Sequence, residues 1–289
     1  MDKKRDIIIS MEATCDLNSQ IIKENDFRII DMSFLVDGVE YCTDKDDVIT
    51  SGLYFKMKEG SKTSTSQVNQ IAYEEFFAEL LKEGKDVLHL AFSSGLSQTC
   101  QSAINASEKV NKNSKNKVYV IDSLCACAGQ GLFALVAKKF IDEGGDIKSA
   151  IEFLESMKMK ISHLFSVDNL KYLANGGRLK KSSAIVGNVL HIKPVMKADE
   201  EGKLVVMQKV MSRKKALKEL LSIYSETCDD DYKFCIISHA DCLQDAVFIQ
   251  ENIKEMKGID SVITNLGPII GSHSGPGTIA FFFVSKTDR

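Results

Sequence analysis

The segment His89-Leu90-Ala91-Phe92-Ser93-Ser94-Gly95-Leu96-Ser97-Gln98-Thr99 passes from an apolar run directly into small hydroxyl residues. Open α/β sheets bind ligands outside the carboxyl ends of their strands, where helix N-termini offer unpaired N–H groups and partial positive charge. An anionic headgroup could sit there against Ser93, Ser94 and Ser97. Serine is also a good helix cap, and the local sequence taken alone favours capping. A second hydroxyl cluster, Ser61-Lys62-Thr63-Ser64-Thr65-Ser66-Gln67, precedes an amphipathic run beginning at Val68. Hydroxyls can hold a carboxylate reversibly, each donating one hydrogen bond without an ionic clamp. By itself this cluster reads as an N-cap loop.

Gly176-Gly177-Arg178-Leu179-Lys180-Lys181 places two permissive backbone positions before a guanidinium that can grip a carboxylate or phosphate bidentately. A turn with a solvated basic face is an equal alternative. His273, in Gly271-Ser272-His273-Ser274-Gly275-Pro276-Gly277, sits on what reads as a glycine-rich loop, and core filling explains it poorly. His89, inside an apolar strand, reads as a satisfied structural histidine. His163, His191 and His239 fall at strand edges and receive no role.

Other patterns fail on context. Gly129-Gln130-Gly131-Leu132-Phe133-Ala134 matches G-x-G-x-x-A but lies inside a helical run, whereas a dinucleotide site needs its first glycine in the strand-to-helix turn. Close helix packing is the better account. The sequence holds no P-loop lysine motif, no G-x-S-x-G elbow and no H-E-x-x-H. Asp44, Asp46 and Asp47 lack the glycine and terminal glutamate of an EF-hand loop. Eight scattered cysteines show one C-x-C pair and no C-x-x-C, which points to reduced thiols rather than a metal site. No metal is expected.

These residues need elements to position them. Short β-rich runs alternate with amphipathic runs through the first half: strands at Asp6 to Ser10, Phe27 to Val36, Val87 to Phe92 and Val118 to Asp122, and a helix over Val68 to Glu83. Asp37-Gly38 signals a hairpin into Val39 to Cys42. That alternation predicts a parallel sheet covered on both faces. After about Lys158 the rhythm changes. Ile192 to Ala198 and Leu204 to Val210 form a hairpin, Ser212 to Tyr224 a basic helix, and strands follow at Phe234 to His239, Val262 to Leu266 and Thr278 to Ser285, with a helix at Leu243 to Ile253. The expectation is an α/β chain of two domains, 1–160 with a parallel sheet and 161–289 as α+β with a mixed or antiparallel sheet.

Composition bounds the function. With 289 residues, 37 basic and 40 acidic, the formal net charge is −3, which gives no general attraction to nucleic acid or anionic membrane. The apolar run Ile7 to Ile9 is too short for a signal peptide or a membrane span, so a cytoplasmic location is expected.

Taken in order, Ala13-Thr14-Cys15-Asp16-Leu17, Thr65-Ser66-Gln67, Ser93-Ser94-Gly95-Leu96-Ser97, Ile121-Asp122-Ser123, Gly176-Gly177-Arg178, Ile192-Lys193-Pro194 and His273-Ser274-Gly275-Pro276-Gly277 resemble the DegV family of bacterial fatty-acid-binding proteins across essentially the whole chain. The resemblance implies two α/β domains with a long-chain fatty acid of palmitate, stearate or oleate type between them, no other cofactor, and no catalysis by the chain itself. It implies presentation of the acid to a fatty acid kinase that makes acyl phosphate. It further implies that Thr65 and Ser97 hold the carboxylate with His273 beside it, that Arg178, Gly177, Ser93 and Ser94 are further pocket candidates, and that Arg213 belongs to a kinase-docking stretch. Met11-Glu12-Ala13 stands where the family has Thr-Asp-Ser, Val68 where it has proline, and Gln98 and Cys100 where it has Gly and Tyr. The alternative is an enzyme acting on a small phosphorylated or carboxylated ligand with His273 as acid/base.

Overall fold

In the computed structural model of the chain, residues 7–43, 47–179 and 192–289 are described, with the backbone alone for 47–51. Asp44, Asp46, Lys180, Lys181 and His191 therefore lie outside the described residues. Three sheets form. The first is fully parallel in the order β2 (Arg28–Ile30), β1 (Ile7–Glu12), β6 (Asp86–Ala91), β7 (Val118–Asp122). β1 and β6 are buried along nearly their whole length, as a sheet covered on both faces requires. The covering helices of this half include α1 (Ser19–Glu24), α3 (Gln70–Leu81), α4 (Thr99–Asn111) and α5 (Ala128–Asp142). The order reverses between β1 and β6, which makes their carboxyl ends the place for a ligand crevice.

The expected single strand over Phe27 to Val36 is two. β2 ends at Ile30, and β3 (Ser33–Val36) leaves for a small antiparallel sheet with β4 (Val39–Cys42) and β5 (Thr63–Thr65). Asp31 and Met32 make the break, which an apolar run read by composition does not reveal. Asp37 and Gly38 take φ of 50° and 84°, the two positive values of a type I′ hairpin turn. The second hydroxyl cluster is likewise not a cap. Thr63 to Thr65 pair with β3, and the side chain of Asn69 caps α3 by accepting from the Ala72 N–H. The helix α2 (Asp47–Lys58) precedes that cluster.

After α6 (Ile147–Met157) the second large sheet runs β10 (Leu204–Met211), β9 (Ile192–Ala198), β8 (Ile161–Ser166), β13 (Ile279–Val284), β11 (Cys235–His239), β12 (Ser261–Asn265). Only the β11/β12 pair is parallel, so the sheet is mixed as expected. α7 (Lys171–Asn175) follows β8, while α8 (Arg213–Thr227) and α9 (Leu243–Lys257) belong to this half. One expectation fails here: the glycine-rich loop over Gly271 to Gly277 is in large part a helix, α10 (Pro268–Ser274). Pro268 at the first helical position starts it, and Gly275 at φ 81° ends it. Burial of Ile269, Gly271, Ser272 and Ser274 outweighs the poor helix propensity of glycine and serine.

α5 sits between the two large sheets, touching β1 and β6 on one side and β8, β11 and β13 on the other. This is where the G-x-G-x-x-A pattern falls. A Cβ on Gly129 would lie 2.2 Å from Nε2 of His163, and one on Gly131 2.5 Å from the Leu17 side chain, so the glycines serve close packing.

Candidate functional site

A cavity of about 510 Å³ opens between the carboxyl ends of β1 and β6 and the facing side of the second sheet with α10. Pockets of a few hundred to a thousand Å³ suit small organic ligands. Much of its wall is apolar: Met32 and Phe92 from the first half, Phe165, Ala280 and Phe282 from the second sheet, and Ile269 and Ile270 from α10. The polar lining includes Thr65, Ser66 and Gln67, Ser94 to Gln98, Arg178 and His273.

α10 and β5 together position the histidine. Thr63 Oγ1 donates to the Ser272 carbonyl at 3.1 Å, and Thr65 Oγ1 lies 2.7 Å from His273 Nε2. Thr65 and His273, which lie far apart in the chain, therefore meet directly. Burial, and then the nearby Arg178 guanidinium, push the His273 imidazole down to about 4, so it is neutral at physiological pH. A Cβ on Gly176 would fall 2.4 Å from His273 Nδ1, which explains why the residue packed on the ring is glycine.

Arg178 donates through Nε to the Leu96 carbonyl at 3.2 Å and through Nη1 to the Gly176 carbonyl. Burial holds its pKa below the usual arginine range. Its bond to Leu96 ties the Gly-Gly-Arg segment to the Ser94–Ser97 loop. Ser97 Oγ lies 2.8 Å from Thr99 Oγ1 and accepts from the Thr99 N–H at 3.2 Å, so it serves the start of α4 while also lining the cavity.

Ser93 and Gly177 do not line the cavity. Ser93 Oγ donates to the Gly202 carbonyl at 2.9 Å and accepts from Gly95 N–H, which pins the loop to the tip of the β9–β10 hairpin. A Cβ on Gly95 would lie 2.3 Å from the Glu201 carbonyl oxygen, so this close approach requires glycine. Gly177, at φ 72°, makes the turn that aims Arg178. Arg213 is also outside the cavity wall: its Nε meets Asp245 Oδ2 at 2.9 Å and its Nη1 lies 3.8 Å from Asp168 Oδ1.

Beneath the loop lies a buried polar network that the sequence did not disclose. Glu12 accepts from Phe92 N–H at 3.0 Å, from Gln130 Nε2 at 2.6 Å and from the Tyr73 hydroxyl, with His89 Nε2 at 3.3 Å. Burial alone would raise the Glu12 pKa, but His89 and these donors hold it below the usual glutamate value. The network fixes the end of β6 where the hydroxyl loop begins. His89 is thus a satisfied structural residue, its Nδ1 lying 3.0 Å from Ser10 Oγ. His163, given no role from sequence, lines the cavity. Its Nδ1 lies 2.9 Å from the Ile161 carbonyl and its Nε2 accepts from Ala126 N–H at 3.0 Å, while burial, with Arg289 nearby, lowers it to about 3. The glycine pattern at Gly129 was the trace it left in the sequence. Among the described residues no group of three or more His, Cys, Asp and Glu side chains could hold a metal ion.

Two large sheets on either side of α5, with a mainly apolar cavity carrying a hydroxyl, imidazole and guanidinium lining, define a mixed α/β protein with a ligand-sized pocket. The chain belongs to the DegV family, whose sequence model, that of uncharacterised proteins, matches residues 6–286. It is 34% identical over 284 residues to the DegV domain-containing protein CPE0026 of Clostridium perfringens, covering 97% of this chain and 98% of that one. In structure it is similar to a DegV lipid-binding protein from Thermotoga maritima (TM-score 0.87, 28% identity, 98% of this chain and 100% of that chain). It is also similar to a fatty-acid-binding DegV family protein from Thermus thermophilus (TM-score 0.86, 27% identity, 97% and 99%). A third similar structure is DegV, a fatty acid binding protein from Bacillus subtilis (TM-score 0.84, 25% identity, 98% and 100%).

Proposed function

We propose that the chain binds a long-chain fatty acid in this cavity, carboxylate at Thr65, Ser97 and His273, and presents it to a fatty acid kinase that forms acyl phosphate. The observation that carries the reading is a single cavity joining an apolar wall to hydroxyl, imidazole and guanidinium groups. Burying about fifteen methylenes at ~0.8 kcal/mol each supplies on the order of 12 kcal/mol before ordering and association costs. The tail supplies affinity, and the hydroxyls orient the headgroup. Arg178 contributes positive potential rather than a clamp, since its Nε and Nη1 are turned to backbone carbonyls. A carboxylate held by hydroxyls is suited to hand-over. Ser94 adds a contact on the same loop; Ser93 and Gly177 act by holding Gly202 and aiming Arg178.

In this reading the chain divides at about residue 160, with 1–160 and 161–289 closing over the ligand, and the chain carries no catalysis of its own. Arg213, at the head of α8 and outside the cavity, is left for docking the kinase. Among the described residues no helix is long and apolar enough to cross a membrane, and the reading takes the location to be cytoplasmic. The enzymatic alternative is weaker, because an imidazole titrating at about 4 is a poor acid/base at neutral pH. Protein purified from a bacterial host and denatured into solvent should release fatty acid by mass spectrometry, and added palmitate or oleate should raise its melting temperature. Failure of both overturns the proposal.

A further inference from the structure

Two threonines on the cavity wall, Thr14 and Thr278, share one property. Gln130 Nε2 donates to Glu12 Oε2 at 2.6 Å and to the Leu90 carbonyl at 2.8 Å, both pure acceptors, so its amide orientation is set. Its Oε1 therefore receives the proton of Thr14 Oγ1 at 2.8 Å. Thr278 Oγ1 directs its proton to the Ser274 and Gly275 carbonyls, at 3.0 and 2.7 Å. Both threonines line the cavity and are almost wholly buried, and with their protons turned into the protein they offer it oxygen lone pairs only. Ser274, also lining the cavity, differs: its buried Oγ has no hydrogen-bond partner among the described residues. Ser274 and Thr278 are neighbours, since Thr278 Oγ1 bonds to the Ser274 carbonyl, while Thr14 lines the same cavity from the turn after β1.

Acceptors without free protons repel a carboxylate and gain nothing from a methylene. A hydroxyl is the group that satisfies them, donating to a threonine oxygen and accepting from Ser274. We propose that the cavity carries a second polar subsite, formed by Thr278 and Ser274, that recognises a hydroxyl group on the acyl chain, so that the ligands include hydroxy fatty acids. This rests on the fatty acid reading above.

The test is a binding scan with the full-length protein. Unsubstituted C16 and C18 acids are compared with monohydroxy acids of equal length carrying the hydroxyl at successive positions from C2 outward. One hydrogen bond gained in a buried site predicts that one positional isomer binds about fivefold tighter than the unsubstituted acid. Ser274→Ala removes a hydroxyl that has no hydrogen-bond partner among the described residues, and it should reduce that preference without loss of the fold; Thr278→Val should do the same, and Thr278→Ser should keep it. If no isomer binds tighter than the unsubstituted acid, or if Ser274→Ala and Thr278→Val both retain the preference, the subsite is overturned while the fatty acid reading stands. If neither plain nor hydroxy acids bind, both are overturned together.

Discussion

Two clusters of buried polar residues flank the end of β6, and they are built on opposite plans. In the Glu12 cluster a carboxylate is already supplied: Tyr73, Gln130, Phe92 N–H and His89 all converge on it. In the cavity cluster the histidine, hydroxyls and guanidinium are present, but Arg178 forms no ion pair among the described residues, its bonds going to carbonyls. The first cluster is closed and structural; in the second no side-chain carboxylate among the described residues meets the guanidinium, and the proposed ligand would bring one. A histidine among polar neighbours is thus a poor marker of a site by itself. What separates His89 from His273 is the partner the protein supplies, the Glu12 carboxylate at 3.3 Å for the one and the Thr65 hydroxyl at 2.7 Å for the other.

If that contrast holds, removing the internal carboxylate should be the most damaging single change. Glu12→Ala leaves buried donors and His89 without their acceptor, and should cost about 3 to 5 kcal/mol of stability by denaturant unfolding. A loss below about 1 kcal/mol would mean the network is not an anchor. The open cluster should behave in reverse. Thr65→Ala combined with Ser97→Ala should weaken fatty acid binding by about 1 to 3 kcal/mol, by removing two donors to a charged acceptor. Its unfolding midpoint should move little beyond the lost Thr65–His273 bond and the lost Ser97 bonds at the start of α4. Unchanged affinity in a titration of the double variant would place the headgroup elsewhere.

Much of the fold was legible because period and punctuation were strong. The parallel first sheet, the Asp37-Gly38 hairpin and the β9–β10 hairpin each follow from local residue pattern. The failures share a cause. Thr63 to Thr65 became a strand because β3 offers them an edge, and Gly271 to Ser274 became helical because α10 is buried; both are tertiary decisions invisible to propensity. The site was legible as an ordered set of hydroxyl, Arg and His segments, which carry resemblance better than any one of them does. Glu12, Gln130 and His163 were not legible, since what they do depends on partners distant in sequence.

Acid should sharpen the comparison further. His163 and His273 both titrate below the free value near 6.5, at about 3 and about 4, so each favours folding in its neutral form. Their contribution is whole above pH 6.5 and is lost as pH falls through that range. Between pH 7 and pH 5 the fully buried His163 alone should cost about 2 kcal/mol of stability. Asp16 runs the other way: burial raises it to about 7, so its contribution is whole below pH 3.8 and is lost as pH rises towards 7. Asp16→Asn should therefore gain stability on the wild type as pH rises from 4 to 8. Chemical denaturation of the wild type and of Asp16→Asn separates the two opposed slopes, and a flat profile in Asp16→Asn, where Asp16 no longer offsets the histidines, would remove the pKa argument for a neutral His273.

The smallest effect concerns the Arg178 charge, which forms no ion pair among the described residues. Arg178→Met keeps much of the stem that packs by His273 but removes the guanidinium, and with it the positive potential and the tie to Leu96. A half-buried cation acting at a distance, rather than through a bidentate bond, is worth about 1 kcal/mol to a bound carboxylate. The loss should appear for palmitate and be absent for hexadecanol, which fills the same apolar wall without a charge. It should also shrink as salt is added, because the interaction is long-range and partly exposed to solvent. Equal losses for acid and alcohol would mean that Arg178 acts by holding the Ser94–Ser97 loop. The second cluster would then be open for lack of a hydrogen-bonding partner, not for lack of an anion.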